Sequence, residues 1–135
     1  MKRLVPLIAA LALLGPAACQ KTLEAPDQAG VCFMVSPQKD GSVKFNNIAT
    51  GIKDLEHCAA QLEIVRLRFQ RLGSNQDEMV GAYQGSFLFL RREGILTSTK
   101  IDGIQYPALV RLHGELVVPN AIVEGQPAPP PPPAK

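Results

Sequence analysis

The chain has 135 residues, with 14 Lys and Arg against 12 Asp and Glu. Lys2 and Arg3 lie in an N-terminal apolar segment and every acid lies beyond residue 18, so the remainder is formally neutral. Without a basic excess, and with five Phe, two Tyr and no Trp, neither a nucleic-acid surface nor a stacking platform is expected.

Residues 1–19 read MKRLVPLIAALALLGPAAC. A positive start, an apolar run from Leu4 to Leu14 and the small residues Gly15 to Ala18 have the three-part pattern of a secretory signal, expected over residues 1–18. The run is too short to cross a bilayer core of about 30 Å as a helix, which takes roughly 20 residues. No later stretch is long enough, so membrane attachment would be by lipid or partner.

Leu14, Gly15, Pro16, Ala17, Ala18 and Cys19 resemble the lipobox of bacterial lipoproteins, with Pro16 where that family usually has an aliphatic residue. The resemblance covers these first residues alone. It implies a lipid anchor on Cys19 and, with Gln20 rather than Asp beside it, an outer-membrane address on the periplasmic side. The other expectation is ordinary cleavage after Ala17, which leaves Cys19 a plain thiol.

Three cysteines leave one over if two pair. Assigning Cys19 to lipid leaves Cys32 and Cys58 for a disulfide, as an oxidising compartment permits. The spacing contains no CxxC, so neither a thioredoxin-like redox site nor a zinc ribbon is indicated.

Residues 19–29 are polar with a proline and are expected to form a tether. A single domain is expected over 30–123. Val31–Val35 is an apolar run suited to a buried strand, and a turn at 39–42 leads to a second strand from Val43. Apolar residues at three- and four-residue steps predict a helix over 52–72, with Thr50 as N-cap, acids early, Arg66, Arg68 and Arg71 late, and Gly73 as the stop. Residues 79–91 are expected to form one long strand, with Tyr83, Phe87 and Phe89 on one face. Returning strands are expected over 95–101, 106–112 and 115–118, after a turn at 92–94. Residues 124–135 are proline-rich and suit an extended, solvated tail. The fold class is α+β: one long helix on a small antiparallel sheet, in the order β-β-α-β-β-β with further short strands.

Chemistry is sparsely marked. His57 and His113 are the two histidines, and no HxxxH, HExxH or GxSxG spacing occurs. No cofactor, metal or catalytic set is therefore expected. Arg66, Arg68 and Arg71 form a candidate contact patch for an anionic lipid or cell-wall polymer, although basic residues also suit a helix C-terminus. The leading functional expectation is a non-enzymatic envelope lipoprotein that binds or positions another envelope component, a protein or cell-wall partner. The alternative is a soluble periplasmic module for a small ligand, held at the sheet–helix interface by Phe33, Tyr83, Phe87 and an arginine.

Overall fold

A computed structural model describes residues 22–75 and 77–119; the expected signal segment, Cys19 and the proline-rich residues 124–135 lie outside them. Seven strands and one helix follow in the order β1 (Val31–Pro37), β2 (Val43–Thr50), α1 (Leu55–Arg71), β3 (Met79–Tyr83), β4 (Ser86–Leu90), β5 (Gly94–Ser98), β6 (Tyr106–Leu112) and β7 (Glu115–Val117). The strands form one antiparallel sheet in the spatial order β2-β1-β3-β4-β5-β6-β7. The helix connects β2 to β3 and packs on β1, β2, β3 and β4. This is the α+β architecture expected from the hydrophobic pattern.

The unbroken apolar run of β1 follows from its place inside the sheet, covered on both faces. Cys32 and Met34 point toward the helix layer, and Val31, Phe33 and Val35 point to the opposite layer. The β1–β2 turn is closed by Asp40, whose Oδ1 accepts hydrogen bonds from the Ser42 N–H (2.9 Å) and hydroxyl (2.6 Å).

Helix α1 starts later than its apolar stripe suggests. Thr50 is still paired to Val31 in the sheet, and Asp54 is the N-cap, accepting the His57 N–H at 2.8 Å. The preceding loop is held from both sides: the Ile52 N–H donates to Gly30 O at 3.0 Å, and the Tyr83 hydroxyl donates to Ile52 O at 2.9 Å. At the other end the Gly73 N–H reaches Gln70 O and the Ser74 N–H reaches Phe69 O, with Gly73 at φ +86°.

The long strand expected over 79–91 is instead a hairpin. Gln84 and Gly85 both have positive φ, 43° and 74°, which matches the right-handed twist of paired strands in a two-residue turn. Tyr83 then faces Ser86 and Ala82 faces Phe87, so the parity of the faces reverses across the turn. Tyr83 joins Leu88 and Leu90 under the helix, while Ala82 joins Phe87 and Phe89 on the other side. The three aromatics expected on one face are thereby divided between two.

Two apolar layers result. The first lies between α1 and the sheet and includes Cys32, Cys58, Ala59, Leu62, Leu88, Leu90 and Ile95, all fully buried. The second lies on the opposite face, around Phe33, Phe87 and Phe89. The sheet curls enough there for Phe45 of β2 and Phe87 of β4 to bring their ring centroids within 6.4 Å across two intervening strands. Residues 23–27, read from composition as tether, cover this second layer. Ala25 is buried, Leu23 packs on the cluster, and Pro26 O accepts the Gly85 N–H at 3.0 Å.

The helix is clamped to the sheet at two points. Cys32 and Cys58 form the expected disulfide, with Cα atoms 5.3 Å apart. One turn further along, Leu62 rests on Gly81. A Cβ at position 81 would overlap the Leu62 δ-methyl groups and lie 3.0 Å from Phe33 O, so the helix approaches bare backbone there. Two predictions follow from the clamp. Gly81→Ala should destabilise by about 1–3 kcal/mol through overpacking. Combined with Leu62→Ala, the loss should be smaller than the sum of the single losses, because the methyl removed makes room for the one added; denaturant titration of the four-member cycle measures it. Replacing both Cys32 and Cys58 with Ala should cost about 3–4 kcal/mol by loop entropy, read as a lower midpoint in the same titration.

Candidate functional site: a fork between two strands

β1 and β3 share only three paired positions, ending at Met34 opposite Gly81. Past that pair β1 continues to Pro37 alongside β2, and β3 begins at Met79 alongside β4. Within the sheet the two strands therefore part, and their facing edges carry no strand-to-strand pairing beyond the fork. A cleft of about 330 Å³ occupies the gap, lined by Met34, Val35, Ser36, Pro37, Phe69, Glu78, Met79 and Val80.

Each element delivers its part for a local reason. Phe69 closes the apolar stripe of α1, but the strand beneath it has turned away, which leaves the ring 38% exposed. Met34 and Met79 bring unbranched, polarisable side chains that adapt to irregular shapes. Pro37 has no N–H to offer, while Glu78 supplies a carboxylate whose Oε1 accepts Arg91 Nε at 3.0 Å. The volume is at the low end for a small-molecule site, and polar and apolar surface share the lining about equally. Such a cleft suits dispersion contact with a small, partly apolar molecule. Two larger hollows flank the 22–27 segment, but both are bounded by Thr22, the first described residue, and support no site.

The basic patch expected from Arg66, Arg68 and Arg71 does not assemble as three. Arg66 is buried, and its Nε and Nη2 grip Glu63 Oε2 and Oε1 at 2.8 and 2.7 Å. Arg111 of β6 donates to the same Oε1 at 2.9 Å, and also to Arg92 O and Gly114 O. Glu63 thus ties α1 to the far half of the sheet. Arg68 and Arg71 remain on the exposed last turns of the helix.

The other sequence candidates are dispersed. Cys58 is bridged to Cys32. His57 sits on the first turn of α1 with Nδ1 2.6 Å from Asp54 Oδ1, and His113 lies in the β6–β7 turn, at the opposite end of the sheet by register. Among the described residues no three of His, Cys, Asp and Glu gather as a metal-holding group. The sheet–helix interface expected to receive a ligand is packed: Phe87 is fully buried, and Phe33 and Tyr83 nearly so, on opposite faces. Phe69, Met34 and Met79 were not indicated by sequence, since each fits a core stripe; Met79 and Met34 do belong to the edge of the core, and only Phe69 is left exposed where the strands part.

The hydrogen bond from Arg66, aided by the charges of Arg66 and Arg111, holds the Glu63 carboxyl below its usual range. A carboxyl with a lower pKa folded than unfolded contributes stability above the unfolded value, near 4.3, and loses it as pH falls through the folded value. Acid unfolding should therefore steepen below about pH 4.5. Glu63→Gln should flatten that limb and, by leaving Arg66 buried without its partner, cost roughly 3 kcal/mol at pH 7; thermal melts between pH 3 and 7 measure both.

Comparison with protein-family models, with curated proteins and with solved structures returned no match.

Proposed function

We propose that this chain is an exported, non-enzymatic binding module of the bacterial envelope that holds a small, partly apolar ligand in the fork between β1 and β3. The carrying observation is the fork itself. It is a break in strand pairing inside an otherwise continuous sheet, bordered by two methionines at the edge of the core and an exposed phenylalanine. Export is supported by the tripartite N-terminal segment, and attachment to the membrane by the lipobox-like residues ending at Cys19. The disulfide agrees with an oxidising compartment. No helix of the described residues is long and apolar enough to cross a membrane.

The ligand would enter past Phe69 and lie between Met34 and Met79, with main-chain groups of the parted edges and the Glu78 carboxylate to orient its polar end. Its size is bounded by the cleft, which admits a ligand of modest bulk and excludes a bulky one.

Protein purified from its own envelope without organic solvent should carry a small-molecule adduct in native mass spectrometry. Removing the adduct should move the methyl resonances of Met34 and Met79 while leaving those of buried Leu88 in place. Phe69→Arg, which places a charge at the exposed mouth of the cleft, should abolish the adduct while retaining a native melting profile. A chain that carries no adduct, and whose methionine methyls stay unmoved across a panel of envelope lipids, cell-wall fragments and amphiphiles, would contradict the binding reading.

A further inference from the structure

The segment before β1 is short and docked. Leu23 and Ala25 pack on the second apolar layer, Pro26 O accepts the Gly85 N–H at 3.0 Å, and Gln28 O accepts the Val31 N–H at 3.3 Å. This strap lies on the sheet face opposite α1, since its contacts are with the layer of Phe33 and Phe87 and those of α1 are with the layer of Leu62 and Leu88. Thr22, at its end, borders one hollow with Gly41, Ser42 and Val43 of the β1–β2 turn and another with Thr99 and Lys100.

Cys19 is three residues before Thr22. A chain segment of that length spans at most about 11 Å even when fully extended. A freely hanging tether from 19 to 29 would reach about three times as far and leave the domain unoriented. Docking of the strap removes most of that slack.

We propose that the strap makes the anchored protein lie against the membrane in one orientation: the β1–β2 turn and residues 99–100 face the phospholipid leaflet, and the outer surface of α1 faces away. This deepens the envelope reading and rests on lipidation of Cys19. The partner is the leaflet that holds the anchor. Contact is imposed by the shortness of the connection and not by charge, because the exposed lysines near Thr22 and its two hollows, Lys39 and Lys100, are outnumbered by Glu24, Asp27, Asp40 and Asp102. The orientation should accordingly persist at high salt, unlike one held by a basic patch.

The chain has no tryptophan, so one introduced residue reports alone. Full-length Ser42→Trp, Lys100→Trp and Gln61→Trp are each purified from membranes, checked by intact mass for acylation at Cys19, and reconstituted in phosphatidylethanolamine–phosphatidylglycerol vesicles containing brominated lipid. All three positions are exposed, and two lie near Thr22, so one poorly folded variant does not decide the outcome. The expected result is several-fold stronger quenching at 42 and 100 than at 61, unchanged by salt. A Gly-Ser insertion of about ten residues between Gln20 and Lys21 should abolish the difference by restoring slack. Acylated protein with equal quenching at all three positions would overturn the orientation and leave anchoring intact. A mass without acyl chains would overturn the anchoring, and the orientation with it.

Discussion

Leu62 lying on Gly81 sets the distance between helix and sheet, and most of the architecture depends on that distance. With any side chain at 81 the helix would have to move outward, and the Cys32–Cys58 bridge one turn earlier ties the two layers too closely to allow it. Ala59, fully buried between these two points, completes a line of small or bare contacts down the helix axis. Further along, the Glu63 carboxylate holds both Arg66 and Arg111, extending the attachment of the helix beyond the four strands it covers. Covalent bond, steric fit and ion pair act in succession along one helix, and only past them, at Phe69, does the helix run out of strand to cover.

That exhaustion produces the fork. A strand pair held by three residues under a firmly seated helix is followed by edges that diverge. The cleft is thus a by-product of the same clamp that stabilises the domain, and it borders a rigid framework on the β1–β2 side. Sites placed on strands and helices hold their geometry better than sites on loops. Its lining of Met and Phe provides adaptability within a frame that moves little.

Much of this organisation was legible in the sequence, for identifiable reasons. The helix was visible because a 3.6-residue stripe, charge order and a terminal glycine agree; only its start was misplaced, because Thr50 reads as a cap yet serves as the last residue of β2. The disulfide was legible from cysteine parity. The β3–β4 hairpin was not, because Gln84 is an unusual residue for a positive φ, and an apolar run broken only by Gly81 and the Gln84–Gly85 pair looks like one strand. That misreading also assigned the aromatics to the wrong faces. Arg66 was read as surface by residue type, though its spacing from Cys58 and Leu62 places it on the inner face. The fork was invisible in principle. It arises from where two strands stop pairing, a non-local fact that neither strand encodes alone.

The clamp also implies what kinship with this chain would look like. Exposed surface residues can diverge without disturbing the fold, but five positions are interlocked. A capping residue stands four places before a cysteine, a branched aliphatic stands four places after it, a second cysteine occupies the first strand, and a glycine lies in the strand beneath. Substituting the glycine demands a smaller residue at the aliphatic position, so these two would change together, as would the cysteines. A distant relation would be found through that sparse, spaced set of five sooner than through overall similarity, since the constraint is carried by few residues spread over half the domain.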